Sequence, residues 1–360
     1  MNEPVRIHDD RSAPAYSIPR ASEGPLLPTR ASSKRAEAAG VAALEPAAQP
    51  QPLPTIDDFI AAPAADPSPA TSGSRARLRR LSGGLIRLGP GRAEREHAER
   101  IVRVQRNLLG PKTIAVVNPK GGSHKTTAAL LLAATFGIHR GGYVLAWDAN
   151  ESRGTLGWRA VQPTHQRTSV DLLRDLDHFA DPQTARIGDL DNYVRSQGTS
   201  QFDVLASDEE PGSDTVVDAA SFGELHGMLT RFYRLLVLDT GANMRAPAWE
   251  SAIRRADQLV IVSTMHEDAG ASAAWLADSL RRRGMEEKVR SAVTVLSDDG
   301  GSDPEVQAQL HRHFGSLTRS VLEVPFDEAL LRGGRVDVRA LHPGTMDAWL
   351  AVAATVADGL

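Results

Sequence analysis

The strongest constraint on the fold of this chain comes from short apolar runs that alternate with longer helical segments. Runs such as IAVV, LLVL and LVIV are apolar throughout and do not alternate with polar residues. Strands of this kind are buried on both faces, which is typical of parallel sheets covered by helices. The sequence therefore predicts an α/β fold, with a doubly wound, mainly parallel sheet and helices on both faces.

The predicted elements occupy residues 111–360, which we expect to form one domain. The β-rich runs predict strands over Thr113–Asn118, Tyr143–Trp147, Phe202–Ala206, Leu235–Asp239, Leu259–Ser263, Ala292–Leu296 and Ser320–Val324. Helical periodicity between them predicts helices over Thr126–His139, Phe222–Phe232, Ala269–Arg283 and Pro304–Phe314. In such a sheet, ligands bind beyond the carboxyl ends of the strands, so residues at those ends are the candidate functional residues.

The chain before residue 111 has a different composition. Residues 1–74 hold 12 of the 22 prolines and predict a disordered tail. Residues 75–110 predict a basic linker that ends in an amphipathic helix over Arg92–Leu109. Ten arginines and three glutamates give residues 75–106 a net charge of +7, next to an acidic domain. Two interpretations stay open: the linker contacts phosphate backbones or anionic lipid, or it is solvated and docks on the acidic domain.

Composition excludes several chemistries. The chain of 360 residues has no cysteine, so disulfides, thiolate catalysis and cysteine metal sites are excluded. No apolar run reaches the roughly 18–20 residues of a membrane span, and the start MNEPVRIHDDRS lacks the apolar segment of a signal peptide. We therefore expect no transmembrane segment and a cytoplasmic protein.

The segment after the first predicted strand has the layout of a phosphate-binding loop. Residues 118–127 read NPKGGSHKTT and lead directly into a helix. Glycines let backbone N–H groups converge on an anion, and the helix N-terminus adds partial positive charge. Lys125 is predicted to reach the β- and γ-phosphates, and the Thr126 hydroxyl to bind Mg²⁺. The predicted nucleotide-binding residues here are Gly121, Gly122, Ser123, His124, Lys125, Thr126 and Thr127.

Two later strands end in acidic residues. Asp148 follows the strand after the phosphate-loop helix and lies 23 residues after Lys125, which favours a functional role. The strand RLLVLD ends in Asp239 and continues Thr-Gly. A carboxylate held at such a strand end binds Mg²⁺ through its water shell. Asp239 and Thr126 are therefore the predicted metal ligands.

These motifs resemble the ParA/MinD family, which are P-loop ATPases with the deviant Walker A motif KGGxGKT. The resemblance covers residues 111–360 and implies the P-loop NTPase fold, ATP and Mg²⁺ as cofactors, and a homodimer on ATP binding. It implies that Lys120 is the signature lysine that reaches the partner's phosphates. It also implies a catalytic strand end at Asp148 and Asn150, where the family has two aspartates and the second positions the attacking water.

The chain departs from the family pattern within these motifs. His124 replaces the glycine before the phosphate-loop lysine, and a positive φ there would strain it by about 1 kcal/mol. Asn150 can hold a water molecule, but an amide cannot accept its proton. We therefore expect nucleotide binding to be retained and hydrolysis to be weak.

The resemblance also implies a pocket for the adenine base. Ser297 stands where the family has a base-contacting asparagine. The segment expected on the other side of the base is present as VPFD, so the implied pocket residues are Ser297, Pro325 and Asp327.

Segments outside the motifs are similar to a subset of the family. RGGYVLAWDANESRGTLGWR and VPFDEALLRGGRVDVRAL resemble MinD-like ATPases encoded beside type VII secretion systems in actinobacteria. This implies a secretion or partition protein as partner. Non-specific DNA binding through Arg332, Arg335 and Arg339 is an alternative to a solvated helix face.

Two functional hypotheses follow. The first is an ATP-driven dimerisation switch with slow hydrolysis, which positions or partitions a chromosome, a plasmid or secretion machinery. The second is a hydrolysis-deficient nucleotide-binding scaffold or regulator associated with type VII secretion.

Overall fold

The computed structural model describes Ile56, Leu81 and residues 89–360, except residues 152, 164, 182, 184 and 209–216. Apart from Ile56 and Leu81, the tail predicted over residues 1–74 and the first part of the predicted linker, residues 75–88, lie outside the described residues. All the elements below belong to one compact unit, residues 65–360.

Within the described residues, eight strands form one sheet in the order β3-β4-β2-β5-β1-β6-β7-β8. The strands are β1 Lys112–Val117, β2 Val144–Ala149, β3 Arg195–Ser196, β4 Asp203–Leu205, β5 Leu235–Thr240, β6 Gln258–Thr264, β7 Val293–Ser297 and β8 Ser320–Val324. Neighbouring strands are parallel, except that β3 runs antiparallel to β4. The predicted mainly parallel sheet is confirmed. The sequence analysis missed β3, because two residues are too few to form a hydrophobic pattern.

Helices cover both faces of this sheet, as predicted. In the described part of the chain the helices are α1 Arg92–Val104, α2 Lys125–Arg140, α3 Leu156–Arg159, α4 Ser169–Arg174, α5 Ile187–Leu190, α6 Ala219–Phe232, α7 Pro247–Arg255, α8 Glu267–Arg282, α9 Glu286–Arg290, α10 Pro304–Leu317, α11 Glu328–Leu331 and α12 Pro343–Ala357. Helices α1, α2 and α12 share a core with one face, and α6, α7, α8 and α10 pack on the other. None of the described helices is long and apolar enough to cross a bilayer.

The central strand β1 shows why the strand sequences are apolar throughout. Successive side chains of a strand point to opposite faces. Ile114 and Val116 pack against α2 and α12, whereas Ala115 and Val117 pack against α7 and α8. Both faces of the strand therefore exclude water, and the loop that follows it opens at the carboxyl edge of the sheet.

Helix α1 ends at Val104, five residues earlier than the periodicity predicts. The Arg140 guanidinium donates hydrogen bonds to the carbonyl oxygens of Val104 (3.3 Å) and Arg106. The Gln105 side-chain amide donates to the carbonyl of His139 (2.8 Å). These tertiary bonds occupy backbone and side-chain groups at the point where another helical turn would form, so the helix stops.

The part of the basic segment in and just after helix α1 forms ion pairs with the domain. Arg100 pairs with Asp347 of α12 (2.9 Å), and Arg106 pairs with Asp358 just after α12 (3.0 Å). Val104 is completely buried in the core shared with α2 and α12. For the described part of the basic segment, these contacts favour docking on the acidic domain.

We expect Val104→Ala to lower the free energy of unfolding by about 1–2.5 kcal/mol, because it removes two buried methyl groups from a packed core. Val102→Ala on the same helix is the matched control, since Val102 is 62% exposed. Urea unfolding of the full chain measures both changes. Equal and small losses in the two variants would show that α1 does not pack on the domain in solution.

Candidate functional site

The loop between β1 and α2 is anchored by a buried asparagine. Asn118 donates its side-chain amide to the carbonyl oxygens of Val262 (2.8 Å) and Ala269 (3.3 Å). Its side-chain oxygen accepts a hydrogen bond from the backbone N–H of Lys120 (2.9 Å). The start of the loop is therefore held by β6 and α8, and the glycines that follow project beyond the edge of the sheet.

His124 adopts the left-handed conformation that the sequence analysis expected to cause strain. Its φ is +66°, and Gly122 two residues before it has a φ of +82°. The His124 Nδ1 and the Ser297 Oγ are hydrogen-bonded at 3.0 Å. Burial lowers the pKa of His124, so its imidazole is neutral at pH 7. His124 and Ser297, two of the three positions that depart from the family pattern, are therefore in direct contact.

The two lysines of the loop are both held by groups of the protein. Lys125 donates from Nζ to the carbonyl oxygen of Lys120 (3.1 Å), and burial lowers the pKa of Lys125. The Lys120 ammonium pairs with Asp268 in the first turn of α8 (2.8 Å). Each ammonium group has three N–H donors, so donors remain on both lysines for a phosphate.

Thr126, in the first turn of α2, and Asp239, near the carboxyl end of β5, lie together. The Thr126 hydroxyl donates to Asp239 Oδ2 at 2.6 Å, and Asp239 Oδ1 is buried without a hydrogen-bond partner. A hydroxyl and a carboxylate are hard oxygen ligands that suit Mg²⁺, which takes its other ligands from water and phosphates. The described residues contain no cluster of three or more His, Cys, Asp or Glu side chains that could hold a metal by themselves. The pair fits a magnesium ion that binds together with a nucleotide.

Asp148 lies directly beside Asp239, because the two residues are partners in the register of β2 and β5. Its Oδ1 accepts hydrogen bonds from the side-chain amide of Asn150 (2.6 Å) and its Oδ2 from the backbone N–H of Leu156 (3.2 Å). Burial raises the pKa of Asp148. Burial first, and then the negative charge of Asp148, raises the pKa of Asp239 to about 7. Neutral donors thus satisfy Asp148, whereas Asp239 keeps one oxygen without a partner.

Two glycines allow the polypeptide to close around these carboxylates. A Cβ atom on Gly154 would lie 2.1 Å from Asp148 Oδ2, and one on Gly241 would lie 2.8 Å from Asn150 Oδ1. Both distances are shorter than side-chain atoms tolerate, so a larger residue at either position would push the loop away. Gly154 is consequently packed tightly against Asp148, and Gly241 against Asn150.

A pocket beside the loop contains the residues predicted for base binding. Its lining includes His124, Thr127, Ser297, Pro325, Phe326 and Trp349. Asp327 also borders this pocket, but its carboxylate accepts hydrogen bonds from the backbone N–H groups of Ala329 (3.1 Å) and His342 (2.8 Å). All three predicted residues, Ser297, Pro325 and Asp327, therefore line the pocket, and Asp327 also holds the backbone around α11.

Arg159 is a residue of this site that the sequence analysis missed. It ends the short helix α3, is 9% exposed, and donates from Nη1 to the Thr127 hydroxyl at 2.7 Å. A helix of four residues has no readable periodicity, and Arg159 lies 32 residues from Thr127. No local pattern could have identified it.

The structure has the fold of the ParA/MinD ATPases, which confirms the resemblance expected from the motifs. It is similar to a ParA family ATPase from Chlorobium tepidum TLS, with 18% identity, 69% of this chain and 95% of that chain covered, and a TM-score of 0.53. It is also similar to MinD from Pyrococcus horikoshii OT3, solved with Mg-ADP, with 17% identity, 68% and 94% coverage, and a TM-score of 0.51. No family model matches the sequence.

Among curated proteins, the chain is similar to the ESX-1 secretion-associated protein EspI of two Mycobacterium tuberculosis strains. The identity is 27% over 278 residues, which are 76% of this chain and 40% of EspI. The chain therefore spans less than half the length of the relatives that it matches.

We expect the titration of Asp239 to remove stability from the nucleotide-free protein as the pH rises from about 4 to 8. The pKa of Asp239 is raised to about 7, so in this window the folded state holds a proton that the unfolded state has released. The Asp239→Asn variant lacks this titration. At pH 8 it should be more stable relative to wild type than at pH 5, by at least about 1 kcal/mol.

The measurement is urea unfolding at both pH values without nucleotide. Asp278→Asn is the control, because Asp278 is an exposed carboxylate of α8. The same pH dependence in wild type and both variants would show that Asp239 carries no raised pKa.

Proposed function

We propose that this chain binds Mg²⁺-ATP in the loop after β1 and acts as an ATP-dependent dimerisation switch with slow hydrolysis. The main support is the Thr126–Asp239 pair beside the glycine loop, because Asp239 has a buried oxygen that a cation would satisfy. The arrangement lies at the carboxyl edge of a parallel sheet, where α/β folds bind ligands. A ParA/MinD-type structure solved with Mg-ADP has the same fold.

Each part of the loop has a role in this proposal. Backbone N–H groups of Gly121, Gly122, Ser123 and His124 surround the phosphates, at the positively polarised end of α2. Lys125 leaves the Lys120 carbonyl and binds the β- and γ-phosphates. Thr126 and Asp239 hold the Mg²⁺, which neutralises charge on the phosphates when it is bound. The base enters the pocket beside Ser297 and Pro325.

Lys120 supplies the contact between protomers in this proposal. Both side chains of its ion pair with Asp268 are exposed. An exposed ion pair contributes only about 0–1 kcal/mol to the stability of the fold. Exchange of Asp268 for a partner's phosphate therefore costs little. The ammonium is available once a second nucleotide-loaded copy approaches.

The residues at the carboxyl end of β2 are the reason that we propose slow hydrolysis of ATP. Asn150 donates its amide to Asp148, and an amide cannot accept a proton from an attacking water molecule. Asp148 is occupied by neutral donors and has a raised pKa. We therefore propose that the ATP-bound dimer is long-lived and that it dissociates slowly from its cargo.

The relationship to EspI supports secretion machinery as the cargo and a partner protein from that machinery. We propose a cytoplasmic location, where ATP is available. DNA is the less supported partner, because Arg339 pairs with Asp337 (3.2 Å) and leaves Arg332 and Arg335 as exposed cations of that stretch.

A nucleotide-binding scaffold is the second candidate function. The observation that favours it is again the Asn150 amide, which is held by Asp148 and leaves this position without a base. The two candidates differ in one observable: the switch releases phosphate from Mg²⁺-ATP slowly but measurably, whereas the scaffold releases none.

We expect Lys125→Ala to weaken Mg²⁺-ATP binding at least about tenfold, because it removes the cation that meets the β- and γ-phosphates. Lys112→Ala is the control, since Lys112 lies at the opposite end of β1 and pairs with Asp257. Titration calorimetry measures both affinities. Equal affinity in wild type and Lys125→Ala would contradict the assignment of the phosphate loop.

We expect Mg²⁺-ATP to convert the wild-type protein to a dimer in light scattering, whereas ADP leaves it monomeric. Lys120→Ala should bind ATP but stay monomeric, because the contact with the partner's phosphates is lost. Asp268→Asn releases Lys120 from its ion pair and should dimerise at least as well as wild type. A dimer of Lys120→Ala equal to that of wild type would contradict the role of this lysine.

A further inference from the structure

The Arg159 guanidinium is a buried positive charge whose hydrogen-bond partners are neutral. Its Nη1 donates to the Thr127 hydroxyl (2.7 Å) and its Nε donates to the carbonyl oxygen of Gly334 (3.3 Å). Among the residues that the structure describes, no carboxylate forms an ion pair with it, and the acid that acts on it from further away is Asp239. An arginine stays charged in a protein, and a buried charge is costly without a counter-charge. An anionic ligand beside Arg159 would supply the counter-charge that the buried guanidinium lacks.

The position of Arg159 indicates which anion. Lys125 and Thr126 direct their side chains toward Lys120 and Asp239, at the end of the site assigned to the terminal phosphates and Mg²⁺. Thr127, the next residue of α2, instead lines the pocket that contains Ser297. Arg159 contacts Thr127 and lines the same pocket. It thus lies where the phosphate end of the site meets the base pocket.

The backbone holds the guanidinium in this place. Asp148 Oδ2 accepts a hydrogen bond from the N–H of Leu156, the first residue of α3. At the other end of α3, the carbonyl oxygen of Arg159 accepts a hydrogen bond from the N–H of Val336 (2.9 Å). Both ends of this short helix are tied, and the guanidinium itself donates to Thr127 and Gly334, so the side chain is ordered before a ligand arrives and binding loses little conformational entropy.

We propose that Arg159 binds the phosphate nearest the ribose, the α-phosphate, and that the Thr127 hydroxyl orients its guanidinium. This inference rests on the proposed function, since it requires a nucleotide in the loop after β1. A phosphate presents two oxygens to the planar guanidinium and supplies the missing counter-charge. Arg159 then acts independently of the terminal phosphates, unlike Lys125 and Lys120.

The test is displacement of a fluorescent N-methylanthraniloyl ADP from the full chain by adenosine, AMP, ADP and ATP. In Arg159→Gln, which keeps a donor for Thr127 but lacks the charge, AMP, ADP and ATP should each bind about tenfold more weakly, while adenosine binds as to wild type. Arg159→Lys restores the charge without the planar fork and should recover part of the loss. Arg335→Gln is the control, because Arg335 is exposed and borders the neighbouring groove that Arg159 also lines.

Equal losses for adenosine and AMP would overturn the proposal, since Arg159 would then shape the pocket without contacting phosphate. A loss confined to ATP would also overturn it, because it would place the guanidinium at the terminal phosphate. Unchanged affinities in Arg159→Gln would overturn the inference alone, provided that Lys125→Ala still weakens ATP binding. If wild type binds neither ADP nor ATP, the proposed function itself fails.

Discussion

Two carboxylates buried side by side at the ends of β2 and β5 determine the arrangement of the site. Asp148 and Asp239 are partners in the strand register, and each is only 1% exposed. Two adjacent negative charges cannot both be buried without compensation. Neutral donors satisfy Asp148, whereas Asp239 has a pKa raised to about 7 and a free buried oxygen. Asn150, Gly154 and Leu156 pack around the first acid, and the second has the free oxygen that the proposed Mg²⁺ would satisfy.

The basic side chains around these two acids have partners that an anionic ligand can replace or supplement. Lys125 donates to a backbone carbonyl, Arg159 donates to a hydroxyl and a carbonyl, and Lys120 holds an exposed carboxylate. Each of these partners is neutral or readily exchanged. A ligand that brings a divalent cation for Asp239 and several anionic oxygens for the basic residues satisfies both halves of the site at once. A magnesium nucleotide has this composition, which is why the electrostatics and the fold support the same proposal.

Similarity of fold does not determine what such a site does. The sheet and helices match ParA/MinD ATPases at about 18% identity, yet the details of the site differ. His124 in a left-handed conformation contacts Ser297, and Asn150 donates to Asp148. Both changes alter positions that the proposal places beside the nucleotide, and the lysines and Thr126 of the loop are retained. They support the slow turnover that is proposed above.

The sequence by itself determined the sheet, the phosphate loop and the two acidic strand ends, because each depends on a local pattern. Continuous apolar runs placed β8 at its observed bounds and the other predicted strands within two residues of theirs. Helix α1 was predicted too long, because bonds from Arg140 and Gln105 end it and no periodicity reports them.

Only the tertiary structure decided which distant residues meet. The contact of His124 with Ser297 joins residues 173 positions apart, and that of Arg159 with Thr127 joins residues 32 apart. The raised pKa of Asp239 likewise depends on burial and on Asp148, which lies next to it only because β2 and β5 are neighbours in the sheet. Periodicity encodes which face of an element is apolar, whereas the order of strands and the packing of loops decide which charges become neighbours.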